Sequence, residues 1–305
     1  MLTVDPKNST SLRLVGQPVL IPADFPTTVA ASTKNSLVCV GSTGAVAGVS
    51  CSRFTARGLG PMDNLRPFDL GQTTPPVGPT NTISQVFFSE DETTLFTTVK
   101  GDPVANNTGF LSAFLVEERR RSVHGSRGRA RKSGPRLSRD EQRSSPEGTA
   151  VLFGSAIIPG SSSIFATDAS FGAAVLAVDP DTDAAALQAS QAIDGQAATC
   201  WVTISTLTNT AFVTDVGVNR LVEMKLDDAS IVGQTDLSQT GAPGLIDLRA
   251  AGSFIYALAP GNADIPAGVS VLDVSGGPGS AHLVQHFDIS RLGAGATSMG
   301  MAVLM

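Results

Sequence analysis

The sequence is poor in the residues that announce chemistry. Three histidines, three cysteines and one tryptophan occur among 305 residues, and only 16% of positions are charged. It has no G-x-S-x-G elbow, no G-x-x-x-x-G-K-[ST] loop, no G-x-G-x-x-G after a strand and no C-x-x-C, so serine-hydrolase and nucleotide-binding readings drop away. No apolar run approaches the ~20 residues that span a bilayer, so a membrane is not an expected partner. The opening Met1-Leu2-Thr3-Val4-Asp5-Pro6 has neither the basic start nor the apolar stretch of a signal peptide. Complete as written, the chain would be cytoplasmic.

What is abundant is turn material. With 31 Gly and 18 Pro, the composition favours many short strands over long helices. The net charge of −6 is unevenly spread, because residues 119–143 carry ten of the 21 basic residues and only two acids, Asp140 and Glu141. The rest of the chain is therefore strongly acidic, which argues against nucleic acid or an anionic membrane surface as its partner.

A unit recurs about five times: an apolar strand, a Gly or Asp turn, and a second strand ending in a polar turn. Residues 36–54, 86–116, 156–179, 200–227 and 248–274 each carry it, and Val38, Phe96, Phe165, Phe212 and Ile255 fall in register on the middle strand. A period of roughly 40–50 residues with several strands in each is what β-propeller blades show. Repeating helix pairs fail as a rival, because Val222, Met224 and Leu226 alternate with Leu221, Glu223 and Lys225 at strand period. The fold expected is all-β, a β-propeller forming a single domain over residues 1–305.

Two stretches break the repeat. Residues 117–148 enclose RRRSVHGSRGRARKSGPRLSRDEQR, nearly free of aliphatic side chains, and are expected to be a disordered basic insertion or a gene-model artefact that disrupts one blade. Without aromatics to stack on bases, the run makes a poor nucleic-acid site. The start, LTVDPKNSTSLRLVGQPV, reads as the outer part of a blade already under way, so an N-terminal blade is expected to be missing.

Cys39 and Cys51 flank a Gly-rich turn at hairpin distance. They either form a disulfide or are two small buried hydrophobes. Asn8-Ser9-Thr10 and Asn106-Asn107-Thr108 are glycosylation sequons.

His282 and His286 have the i, i+4 spacing of a metal pair, but HLVQHFDIS alternates as a strand, which would place the rings about 13 Å apart. Asp168 and Asp215 lie three residues after Phe165 and Phe212, so adjacent blades present a carboxylate at the same place. There they could act as acid and base or hold a divalent cation, or each could cap the turn that follows its strand. Arg220 and Asp194 are candidates for a channel lining that accepts a carboxylated substrate. Trp201 reads as packing between blades, and Glu90, Asp91 and Glu92 as a solvated hairpin tip. Asp168, Asp215 and Arg220 are the catalytic candidates, and no organic cofactor is called for.

The segments LRLVGQPV, FPTTVAAS, LVCVGSTGAVAGVSC, QTTPPVGPTNTISQVFFSEDETTLFTTVKG, IDGQAATCWVTIS and TDVGVNRLVEM resemble the secreted fungal carboxymuconate-cyclase-like proteins, relatives of bacterial 6-phosphogluconolactonase in the lactonase-like propeller superfamily. The resemblance spans most of residues 3–303 apart from the basic run. It implies seven blades, export, and lactone-forming or lactone-opening chemistry on a small carboxylated substrate. The chain departs from that pattern in its start, its basic run and its lack of a catalytic motif that transfers residue by residue. Two functions follow: a lactonase or cycloisomerase working on a small lactone at the central channel, or a non-catalytic secreted propeller that binds a protein or glycan.

Overall fold

The structure, a computed structural model, describes residues 1–118 and 134–304. Their regular elements are strands, with two single-turn 3-10 helices at Ser238–Thr240 and Ser290–Leu292.

A hairpin comes first, β1 (Leu2–Asp5) with β2 (Asn8–Leu14). Five antiparallel sheets then follow in chain order. The first contains β3 (Pro26–Ser32), β4 (Leu37–Ser42), β5 (Ala47–Thr55) and β6 (Gly58–Met62), with β7 (Arg66–Phe68) also paired to β5. The second contains β8 (Thr82–Phe88), β9 (Thr94–Lys100), β10 (Phe110–Glu117) and β11 (Arg136–Leu137), with β12 (Gln142–Ser144) also on β10. The third runs β13 (Leu152–Ile157), β14 (Ile164–Asp168), β15 (Gly172–Val178) and β16 (Ala185–Ala192). The fourth runs β17 (Thr199–Ser205), β18 (Thr210–Asp215), β19 (Arg220–Lys225) and β20 (Ile231–Asp236), and the fifth β21 (Asp247–Ala251), β22 (Phe254–Ala259), β23 (Gly268–Asp273) and β24 (His282–Asp288).

Each sheet meanders from strand to strand, and the aligned residues Val38, Phe96, Phe165, Phe212 and Ile255 all lie on the second strand of theirs. That strand carries the most complete burial: β9, β14 and β18 are buried at every position. Apolar residues of β14 and β18 pack into clusters shared with the adjoining sheets.

Where the repeat predicts one domain over 1–305, internal contacts divide the chain into two compact units: Met1–Thr97 with Ser112–Arg143, and Thr98–Leu111 with Ser144–Met305. In the second unit, Phe165, Val175, Val202, Val213 and Met224 form one apolar cluster between the third and fourth sheets. Phe212, Leu221, Leu248, Ile255 and Leu272 form another between the fourth and fifth.

The expectation for residues 117–148 needs correction at both ends. Glu117 closes β10, and residues 136–144 supply β11 and β12, which supplement the blade expected to be disrupted. The reason lies in the first unit, where buried Arg66 donates to the carbonyls of Leu137 and Ser138 and pairs with Asp63 at 2.9 Å. Leu137 is itself fully buried. The core of the basic run, 119–133, with His124, lies outside the described residues.

Candidate functional site

Asp168 and Asp215 end β14 and β18 and are both buried. Asp168 accepts from the backbone N–H groups of Ala150, Val151 and Ser170 at 2.7–3.0 Å, and from the Ser170 hydroxyl at 2.6 Å. Asp215 accepts from the N–H groups of Ala197, Ala198, Gly217 and Val218 at 2.8–3.2 Å. Four donors engage each carboxylate and hold it against the backbone of its own turn. Of the two alternatives in the sequence, this is the geometry of the turn cap.

Arg220, at the start of β19, is part-buried. It donates to Gln234 Oε1 at 3.1 Å and to the Asp194 carbonyl at 2.8 Å. Asp194 therefore contributes its backbone, not its carboxylate, to that contact. His282 and His286 lie on β24, exposed, with Nδ1 atoms against the Ser280 carbonyl and the Ser270 hydroxyl respectively. Among the described residues no cluster of three or more His, Cys, Asp or Glu is placed to hold a metal.

The chemistry-bearing cluster is elsewhere in the second unit, on strands that open their sheets. Phe153 on β13, Trp201 on β17 and Arg249 on β21 are spaced 48 residues apart in the sequence. Phe153 and Trp201 meet edge to face, centroids 5.9 Å apart at 80°. The Lys100 ammonium caps the outer end, 4.2 Å from the Phe153 centroid, and the Arg249 guanidinium caps the other, 5.8 Å from the Trp201 ring. An aromatic pair thus lies between two cations, each held against the negative face of a ring.

Burial decides the charge state at one end. Lys100 is 8% exposed. Desolvation pushes its amine down from 10.5 to about 8, with the Cys200 sulfur opposing weakly. Burial also drives the Cys200 thiol far above its ordinary range, so near neutral pH it is uncharged and gives the amine no counter-charge. At the other end Arg249 donates to Asp247 Oδ1 at 2.8 Å and to the Leu248 carbonyl at 2.7 Å. Desolvation raises the Asp247 carboxyl, opposed chiefly by Arg249 and the Met301 N–H, which donates to it at 2.8 Å.

The strands are stapled by threonines that sit two residues after the aligned phenylalanines. Thr98 donates to the Phe153 carbonyl at 3.2 Å, and Thr167 donates to the Cys200 carbonyl. Gly154 lets the strands close up: a Cβ there would sit 2.7 Å from the Trp201 Cα. Lys100, Phe153, Arg249 and Asp247 escaped the sequence reading. The usable signal was the equal spacing of Phe153, Trp201 and Arg249, together with a charged residue, Lys100, ending an otherwise uncharged strand.

Two of the three cysteines belong to the first unit. Cys39 and Cys51 face each other across β4 and β5 and are joined as a disulfide, Cα–Cα 4.0 Å. Cys200 is a buried free thiol.

Several solved structures share this arrangement of sheets. The β-propeller domain of Cps50 (Swd1) from Myceliophteria thermophila superposes with a TM-score of 0.52 at 10% identity, covering 88% of this chain and 74% of that one. The fold is propeller-like. A candidate 6-phosphogluconolactonase of Bacteroides uniformis gives 0.62 at 16% identity, covering 86% of this chain and 71% of that one. The periplasmic gluconolactonase of Pseudomonas aeruginosa gives 0.61 at 14%, covering 87% and 72%. No family model and no curated protein matches the sequence.

Proposed function

We propose that the chain is a lactonase-like propeller that binds a small anionic lactone at the Lys100–Phe153–Trp201–Arg249 cluster and opens it by hydrolysis. The observation that carries this reading is the desolvated Lys100 amine at one end of an aromatic pair whose other end holds a permanent cation. Fold likeness to a gluconolactonase and a candidate 6-phosphogluconolactonase supports it.

In this reading Arg249 offers positive charge to a carboxylate or phosphate, and the aromatic pair supplies an apolar wall for the lactone ring. Neutral Lys100 takes a proton from water as its oxygen attacks the carbonyl carbon. The resulting ammonium returns the proton to the ring oxygen as the acyl C–O bond breaks, leaving a hydroxy acid. An amine titrating near 8 populates both forms at neutral to mildly alkaline pH, as that cycle requires.

Export is part of the proposal. A buried disulfide in the first unit suits an oxidising compartment, and both sequon asparagines, Asn8 and Asn106, are exposed.

The rival reading, a non-catalytic propeller binding protein or glycan, is favoured by the low exposure of Lys100. A pH-stat assay separates the two. It would follow glucono-δ-lactone, a 6-phosphogluconolactone and a carboxylated muconolactone with the parent protein, Lys100→Met and Arg249→Met. The enzyme reading expects turnover of at least one lactone, a loss of about 10²-fold or more in kcat with Lys100→Met, and a rise in KM with Arg249→Met. No turnover of any lactone, or turnover unchanged in Lys100→Met, overturns it.

A further inference from the structure

Away from the aromatic cluster, the second unit carries a cavity of about 350 Å³ at the outer edge of the fourth sheet, lined by Val218, Asn219, Arg220, Gln234, Asp236 and Ser238. Arg220 on β19 is the backbone partner of Asp236 on β20, and Val222 that of Gln234. Strand alternation therefore places Arg220, Gln234 and Asp236 on one face of the ladder, at the sheet's last strand.

The donor set is balanced and only partly used. Arg220 donates to Gln234 Oε1, and the Gln234 amide keeps its own N–H groups. Asp236 accepts from the Ser238 N–H at 2.9 Å and the Ser238 hydroxyl at 2.8 Å, bonds that hold its carboxyl below the ordinary range and keep it ionised. Two buried atoms in the cavity wall, Arg220 Nε and Asn219 Oδ1, have no hydrogen-bond partner. One is a donor and the other an acceptor, and each orphaned group costs about 1–3 kcal/mol.

These features select a ligand class. Asp236 repels an inorganic or carboxylate anion, Arg220 repels a cation, and the single apolar side chain, Val218, offers too little surface for an apolar ligand. A group that both donates and accepts meets every polar atom present. We propose that this cavity binds a hydroxyl-rich neutral ligand, a sugar or the end of a glycan, independently of the lactone site. Vicinal hydroxyls accept from Arg220 and Gln234 while donating to Asp236, and a small turn of the Arg220 and Asn219 side chains brings their orphaned atoms into the same network.

Saturation-transfer NMR on the full chain tests this, with methyl α-mannoside, methyl β-glucoside and maltotriose as probes, and inorganic phosphate, followed by ³¹P line broadening, as the anionic control. The expected result is transfer to at least one sugar, weakened roughly tenfold in affinity by Arg220→Met and by Asp236→Ala, the loss of one charged hydrogen bond. It should be unaffected by Lys100→Met. Equal affinity for monosaccharide and trisaccharide identifies a free sugar as ligand, and tighter trisaccharide binding a glycan chain; both support the proposal. Absence of transfer to all three sugars, transfer unchanged in the two variants, or phosphate binding without sugar binding overturns it. Should Arg220→Met fail to fold, Asp236→Ala, at an exposed side chain, decides alone.

Discussion

Asp168 and Asp215 make the same bonds in successive sheets: each reaches back to backbone N–H groups 17 and 18 residues earlier and closes its own turn with groups two residues on. The repeat in the sequence is thus a repeat of a latch, in which the end of a sheet's second strand fastens the segment entering its first.

That latch predicts a stability effect. Asp168→Ala and Asp215→Ala each leave buried N–H groups unpaired and should lower unfolding free energy by about 2–4 kcal/mol. Urea titration reads the loss. Asn at either position, which keeps an acceptor oxygen, should recover part of it.

The two aspartates also show what the sequence could and could not disclose. Their common position after Phe165 and Phe212 was visible, because a repeat places equivalent residues at equivalent backbone sites. Their role was not, because a carboxylate aimed at backbone amides and one aimed at a channel read alike in one dimension. The sheets were legible for a related reason: alternation and turn residues are local. The Lys100 cluster joins four sheets through contacts between residues 48 or more positions apart, and no local pattern encodes that. Residues 136–144 were misread because their strands rest on one buried tertiary partner, Arg66, rather than on apolar alternation of their own.

Buried Lys100 makes stability depend on pH in a stated direction. Its folded value of about 8 lies below the ordinary 10.5, so between those values the unfolded chain binds more protons than the folded one. Stability should therefore rise with pH across that window. Below pH 8, Lys100→Met should be the more stable protein, by on the order of 3 kcal/mol, with the advantage fading between pH 8 and 10.5. Parallel denaturant titrations of both proteins from pH 7 to 11 measure it.

Thiol accessibility follows from the three cysteines. Cys200 is buried with its thiol held protonated, and Cys39 and Cys51 are joined. Native protein should react with no equivalent of Ellman's reagent, denatured protein with one, and reduced denatured protein with three. Reduction should cost about 2–3 kcal/mol of stability, from the short loop that the disulfide closes.

Gly154 couples packing to the site. Because an added Cβ meets the Trp201 backbone, Gly154→Ala should both destabilise the fold, by about 1–3 kcal/mol, and disturb Trp201. As Trp201 is the only tryptophan, its fluorescence reports the displacement directly, and an unchanged emission maximum with unchanged stability would show that the strands are not in contact there.

The most direct test of the proposed site is titration of Lys100 by ¹³Cε NMR, assigned with Lys100→Met, without and with gluconate. The account predicts an apparent pKa of about 8 that rises when the carboxylate binds, since an added negative charge favours the ammonium. A value near 10.5 that gluconate leaves unmoved would contradict it, because the amine would then be neither desolvated nor part of an anion site.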